Sequence, residues 1–252
     1  MIDIHSHILP CIDDGPDNFT GSLRIAETAL SEGVRTIFAT PHTCNGVYDI
    51  QKDDIIQSCS ALTENLEKEG LFIRILPGAE IRINHDLVQE FDKGHLMTLN
   101  NACTHILLEL PSMFLIKGIC LMMRQFVKRG ITPIIAHPER NPMILNCPGI
   151  VSELIYNGAF MQITAASLAG DFGKPAMKIA RDMVVMEQVF CLGSDMHPNR
   201  KYRMLKARQR LIKIVGQKKA DLITWQNPSA ILPGISCPDE IQQNNNLQHK
   251  FL

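Results

Sequence analysis

The chain has 252 residues, which suits one larger domain or two small ones. At 45% hydrophobic and 20% charged it can bury a core, and its formal net charge of -1 argues against nucleic acid or an anionic membrane surface as the main partner. The opening Met1-Ile2-Asp3-Ile4-His5 is not a signal peptide, no apolar run is long enough for membrane insertion, and eight cysteines without a C-x-x-C pair read as reduced thiols, so a cytoplasmic location is expected.

Short β-branched runs alternate with longer amphipathic stretches, the pattern of repeated β/α units. Strands are expected over residues 2–5, 34–40, 72–76, 105–108, 132–136, 160–163 and 189–192. Helices are expected over 22–32, with Ser22 as N-cap and Gly33 as stop, and over 53–69, with Ile55, Cys59, Leu62 and Leu66 on one face before Gly70. Further helices are read over 116–129, 151–156, 175–187 and 204–215, the last stopped by Gly216. Seven strands, each followed by a helix or long loop, predict an α/β fold closed into a distorted (β/α)7 TIM-like barrel. With no repeat or internal linker, residues 1–236 read as one domain and residues 237–252 as a polar tail.

The chemistry collects where these strands end. Strand one runs into His5 and His7, with Asp14 in the next loop, and strand two ends at His42. Glu80 follows strand three, Glu109 strand four, His137 and Arg140 strand five, and Asp195 and His197 strand seven. In a barrel these positions share one rim. Taken singly, each has an ordinary explanation: Glu80 as a helix-capping carboxylate, Asp14 as a turn former beside Gly15, His42 as a strand terminator, Arg140 as a surface ion pair. Nine nitrogen and oxygen donors at the ends of six of seven strands are too many for one ion and enough for two or three. The absence of thiolate from the set admits manganese, iron or zinc and argues against a sulfur-ligated structural zinc. Three divalent ions against four carboxylates leave a positive surplus that attracts a phosphate dianion.

These segments, residues 1–15 (MIDIHSHILPCIDDG), 39–42 (ATPH), 78–81 (GAEI), 136–140 (AHPER) and 193–197 (GSDMH), resemble the PHP (polymerase and histidinol phosphatase) superfamily. The closer likeness is to its CpsB/CapC-type bacterial manganese-dependent protein-tyrosine phosphatases, which regulate capsule and exopolysaccharide synthesis. The likeness runs in order from Met1 to about Pro228. It implies up to three manganese ions, with His5, His7 and Asp195 on one and Glu80 bridging it to a second. Glu109 and His137 complete that second ion's ligands, and Asp14, His42 and His197 hold the third. It also implies phosphate contacts from Arg140 and from either Arg200 or Arg203, between which the sequence does not choose. Cys11 and Thr43 depart from the family pattern near the site and bear on substrate preference.

By this likeness a metal-activated hydroxide attacks the phosphorus of phosphotyrosine in line, and the partner is an autophosphorylating bacterial tyrosine kinase. No cysteine has arginine six positions later, so the C-x5-R loop of thiol-dependent tyrosine phosphatases is absent. Three other readings compete. One is a PHP-type small-molecule phosphatase such as one for histidinol phosphate. Another is an amidohydrolase barrel, disfavoured because Glu109 stands where a bridging lysine is often found. The last is a non-catalytic metal-binding regulatory module.

Overall fold

The structure, a computed structural model, describes residues 1–113 and 117–232. Ile116, the expected start of a helix, and the expected tail at 237–252 lie outside the described residues.

Among the described residues nine short strands, all paired in parallel, form two ladders. The first joins β1 (Ile2–Ser6), β2 (Thr36–Ala39) and β4 (Arg74–Pro77). The second joins β3 (His42–Thr43), β5 (Glu80–Arg82), β6 (His105–Glu109), β7 (Thr132–Ala136), β8 (Phe160–Thr164) and β9 (Cys191–Gly193), in that order. The second and third expected strands, 34–40 and 72–76, correspond to β2 and β4, and each is followed by a further short strand, β3 or β5, beyond the expected bounds. The breaks at Thr40-Pro41 and Gly78-Ala79 let β2 and β4 pair in the first ladder while their continuations, β3 and β5, pair in the second. Phe72, placed in a strand by its apolar character, is instead 76% exposed and precedes β4. The ring is drawn shut across the last strand, where Asp195 N donates to His5 O at 2.7 Å and His7 N to Met196 O at 3.1 Å. The architecture is the distorted seven-unit β/α barrel that the alternation predicts.

The intervening helices are α1 (Phe19–Ser31), α2 (Lys52–Lys68), α3 (Leu87–Asp92), α4 (Ile119–Lys128), α5 (Pro142–Asn146), α6 (Gly149–Tyr156), α7 (Ala165–Ala169), α8 (Gly173–Val185), α9 (Met204–Asp221) and α10 (Asn227–Ser229). One expected boundary is corrected. Asn18, not Ser22, caps α1 by accepting from Gly21 N; Ser22 is buried one turn in, and its hydroxyl donates to Ile8 O at 2.7 Å. The expected stop at Gly216 holds: at φ 82° and ψ 169° it interrupts α9, and a second helical segment runs on to Asp221.

Strand alternation divides the core into two layers. Ile37, Ile75, Ile106, Leu108, Ile135, Met161, Ile163 and Leu192 pack outward against the helices. Phe38, Leu76, Leu107, Ile134 and Cys191 point inward and form an apolar floor with Ile2 and Ile4. An irregular step in the pairing of β1 between Asp3 and Ser6 interrupts this alternation. Ile2 and Ile4 therefore belong to the floor, while His5, next in sequence, also turns inward to meet Gln162. A bulge re-aims side chains in just this way.

Candidate metal centre

All nine expected ligands lie at one mouth of the barrel. His5 Nε2 is 3.2 Å from Glu80 Oε2 and 3.6 Å from Asp195 Oδ1; His7 Nε2 is 3.4 Å from each of the same two atoms. These four residues form one group whose donor atoms lie within 4.8 Å of one another. His7, Asp14, His42 and His197 form a second, and His42, Glu80 and Glu109 a third. His137 joins through Glu80, with 2.6 Å from its Nε2 to Oε1. The structure therefore places Glu80 at the centre, in contact with His5, His7, His42 and His137. Donors each about 2.1 Å from a common ion sit roughly 3–3.4 Å apart, the spacing seen here.

The donor set fits cations by its own unsatisfied chemistry. His7 Nδ1 donates to the carboxylate of Asp13 at 2.6 Å, and His197 Nδ1 to the carbonyl of Asp195 at 3.0 Å. With Gln162 Oε1 turned toward it at 2.9 Å, His5 Nδ1 donates there. Each ring thus aims Nε2 at the mouth, the second-partner arrangement that fixes metal-binding imidazoles. Burial, followed by the charge on His7, pushes His197 down to about 4, so at neutral pH its Nε2 is a lone pair. That lone pair is buried without a hydrogen bond, 3.2 Å from Asp14 Oδ1, which is also an acceptor. Glu80 Oε2 and His42 Nδ1 approach to 3.0 Å, yet neither has a hydrogen bond. Two acceptors facing one another, as His197 Nε2 and Asp14 do, are costly unless a cation sits between them.

Electrostatics keep the carboxylates ionised although burial opposes it. Burial alone would raise Glu80, but His5 and His137 hold it well below the usual carboxylate range. Burial likewise opposes ionisation of Asp195, and His5, His7 and Arg140 outweigh it. Burial would lower His7; Asp13, Asp195 and Glu80 raise it well above 6.5 instead.

Behind the ligands lies a layer the sequence reading missed. Asp13, not only its neighbour Asp14, is engaged: Oδ2 accepts hydrogen bonds from His7 Nδ1 at 2.6 Å and from His42 N at 3.0 Å. Asp3 is fully buried and accepts from Tyr202 Oη at 2.6 Å and Ser194 N at 2.8 Å, joining β1 to the turn after β9. Gly193 is required there, because a Cβ would lie 2.7 Å from His5 Cβ and 2.8 Å from Gln162 Nε2. His137 and Asp195 both take positive φ, 33° and 49°, a conformation costly for residues other than glycine and one that gathers at functional sites.

The arginines divide. Arg140 and Arg200 both donate to Asp195 Oδ2, leaving Oδ1 toward His5 and His7. Arg203, the other candidate, donates to Asp171 at 2.7 Å. The ring of Phe172 lies beneath both inward guanidiniums, 4.3 Å from Arg140 and 5.5 Å from Arg200. Such cation–π contacts contribute about 0.5–2 kcal/mol each. Phe172→Leu, which keeps apolar bulk but removes the π face, is expected to weaken competitive inhibition by inorganic phosphate about fivefold, with Phe172→Tyr restoring it; a phosphate inhibition series on the three proteins checks this.

A family model described as capsular polysaccharide synthesis, CpsB/CapC, matches residues 1–233. The chain belongs to the CpsB/CapC family. It is 38% identical over 197 residues to the tyrosine-protein phosphatase YwqE of Bacillus subtilis, covering 78% of this chain and 77% of that one. It is 31% identical over 240 residues to the tyrosine-protein phosphatase CpsB of Streptococcus agalactiae, covering 92% and 98%. Among solved structures it resembles one from a study of YwqE from Bacillus subtilis and CpsB from Streptococcus pneumoniae, described as unique metal-dependent tyrosine phosphatases. There the TM-score is 0.87 at 34% identity, over 92% of this chain and 94% of that one. The histidinol phosphate phosphatase of Lactococcus lactis, solved with zinc, histidinol and phosphate, shares the fold at TM-score 0.57 and 13% identity.

Proposed function

We infer that this CpsB/CapC chain is a metal-dependent protein-tyrosine phosphatase acting in the control of capsular polysaccharide synthesis. The observation that carries the reading is the junction of the donor groups with Arg140 and Arg200 at Asp195, which puts two cationic forks at the edge of a cation-binding mouth. The finer assignments are ours: up to three ions, manganese first and iron or zinc as substitutes, held by His5, His7, Asp14, His42, Glu80, Glu109, His137, Asp195 and His197. The phosphorylated partner we assign is a bacterial autophosphorylating tyrosine kinase. No helix among the described residues is long and apolar enough to cross a membrane. The seven described cysteines are free thiols, which supports placing the enzyme in the cytoplasm.

Divalent ions in this mouth would lower the pKa of water and offset charge on the phosphoryl oxygens. The protein's own groups do the rest. Arg140 and Arg200 present planar guanidiniums suited to bidentate contact with phosphate oxygens, in place of the Asp195 oxygen they share here. The leaving phenolate has a conjugate acid near pKa 10, so its departure needs less protonation than an alkoxide would. Asp13 holds the His7 Nδ1 proton and Gln162 the His5 proton, fixing both rings during turnover. Asp13 adds a fifth carboxylate to the charge sum, while Arg82, donating to Glu109 at 2.7 Å, offsets one of the five. The manganese-loaded protein should hydrolyse phosphotyrosine peptides at least a hundredfold more efficiently than histidinol phosphate; the reverse preference would assign it to small-molecule substrates.

The shifts at His5 and His7 give a signed pH dependence. In the metal-free protein both imidazoles have raised pKa, although burial opposes the rise, because Glu80 and Asp195 face them and Asp13 faces His7. Their protonated forms stabilise the metal-free fold fully below 6.5, and that contribution is lost as pH climbs through the raised values. A bound ion replaces those protons, so its apparent affinity rises about tenfold per pH unit for each proton displaced. The gap in thermal midpoint between manganese-loaded and chelator-treated protein should therefore widen from pH 6.5 to pH 8.5. A gap that narrows over this range would contradict the assignment.

A further inference from the structure

Charge is distributed unevenly over this molecule. The whole chain balances 25 Lys and Arg against 26 Asp and Glu, but α8 and α9 together carry nine Lys and Arg against two Asp. Between these helices runs a cleft of about 570 Å³ with an apolar floor that includes Leu168, Met177 and Ile214. Arg181, Arg210 and Lys213 stand around it. Lys178 is tied to Asp182 at 2.6 Å and Arg210 donates to Leu168 O. Arg181 and Lys213 are exposed and, among the described residues, have no carboxylate partner.

The cleft adjoins the active site through a single loop. Gly170 packs by Met177 Sδ and Arg210 on the cleft side, and two residues later Phe172 lies under Arg140 and Arg200. Leu168 and Phe172 are four residues apart, so at most about 14 Å of chain separates the cleft from the arginine platform. An extended peptide bridges that gap with about four residues.

We propose that the α8–α9 cleft docks an acidic stretch of the substrate polypeptide, beginning about four residues from the phosphotyrosine. The proposal rests on the tyrosine-phosphatase reading. Carboxylates of that stretch meet Arg181, Lys213 and Arg210, and an apolar or aromatic side chain between them covers the floor. A concave apolar trough edged by cations suits a peptide better than a flat bilayer or a duplex. Individual exposed ion pairs contribute little, so recognition comes from several acting together and weakens with salt.

The test uses the full chain, loaded with manganese, and the double charge reversal Arg181→Glu with Lys213→Glu, both on exposed helix faces. Phosphotyrosine peptides would carry a glutamate-rich block before or after the phosphotyrosine, with a neutral-flanked peptide and para-nitrophenyl phosphate as references. Wild type should favour at least one acidic-flanked peptide about tenfold in kcat/KM at low salt. The double variant should lose that preference while para-nitrophenyl phosphate turnover changes less than twofold. Fluorescence anisotropy of the same acidic peptides, unphosphorylated, reads docking without catalysis. Equal treatment of acidic and neutral flanks by wild type, or an equal loss on every substrate in the variant, overturns the proposal. So does co-sedimentation with phosphatidylglycerol vesicles without peptide discrimination. Failure to hydrolyse any phosphotyrosine substrate would sink the phosphatase reading instead, and the anisotropy measurement would still decide the cleft.

Discussion

Treatment with a chelator is expected to reduce phosphotyrosine hydrolysis by at least a hundredfold, whereas a thiol alkylator should leave most of it intact. Both halves follow from chemistry at the barrel mouth. His197 Nε2 and Glu80 Oε2 are buried acceptors without hydrogen-bond partners, and His197 is held neutral, so cations are needed to make the cluster an electrophilic surface. Without them nothing in the mouth lowers the pKa of water, and Glu80 and Asp195 turn ionised carboxylates toward a phosphate. The cysteines offer no substitute. A nucleophilic thiol needs a lowered pKa, yet burial pushes Cys59 up to about 12 and Cys191 well above its ordinary value. Cys11 is exposed near the first motif, but its thiol donates to Asp17 O rather than facing a base. Loss on alkylation together with resistance to chelation would reverse the assignment.

Glu80→Gln should be the most damaging single substitution of similar shape. The carboxylate contacts four imidazoles, and its removal leaves His5 and His7 facing Asp195 as their nearest remaining acid in the first group. Breaking a buried, multiply bonded charge costs about 3–5 kcal/mol, which corresponds to roughly two to four orders of magnitude if it falls on the transition state. The expected result is a kcat/KM at least about a hundredfold lower, together with a smaller manganese content per chain. Steady-state kinetics alongside elemental analysis checks it; full activity with an unchanged metal content would remove Glu80 from the centre of the site.

The arrangement of the site was legible in the chain because a parallel barrel converts strand ends into one rim. His5, His42, Glu80, Glu109, His137 and Asp195 are far apart in sequence and sit at the ends of six of the seven expected strands, so the fold alone brings them together. What was not legible depends on local geometry. Nothing separates Asp13 from Asp14 in sequence, since they are adjacent acids in one turn; only the fold shows that Asp13 turns toward His7 while Asp14 stays half exposed. Ser22 and Asn18 are both good capping residues, and a tertiary acceptor, Ile8 O, decided between them. The short strands β3 and β5, beyond Thr40-Pro41 and Gly78-Ala79, were not legible because two or three residues are too few to show a strand period. Asp3 and Gln162 did carry a signal: a polar side chain within an apolar strand is costly to bury unless it is partnered, and both proved to orient the ligand-bearing segments. Phe172 gave none, because its importance comes only from the two arginines that the barrel lays over it.

Anomalous diffraction from crystals equilibrated with manganese tests the account most directly. The predicted result is two or three strong peaks within the mouth, each at coordination distance from at least three of His5, His7, Asp14, His42, Glu80, Glu109, His137, Asp195 and His197. Well-ordered protein with manganese bound only elsewhere on its surface, and solvent alone among those side chains, would contradict it.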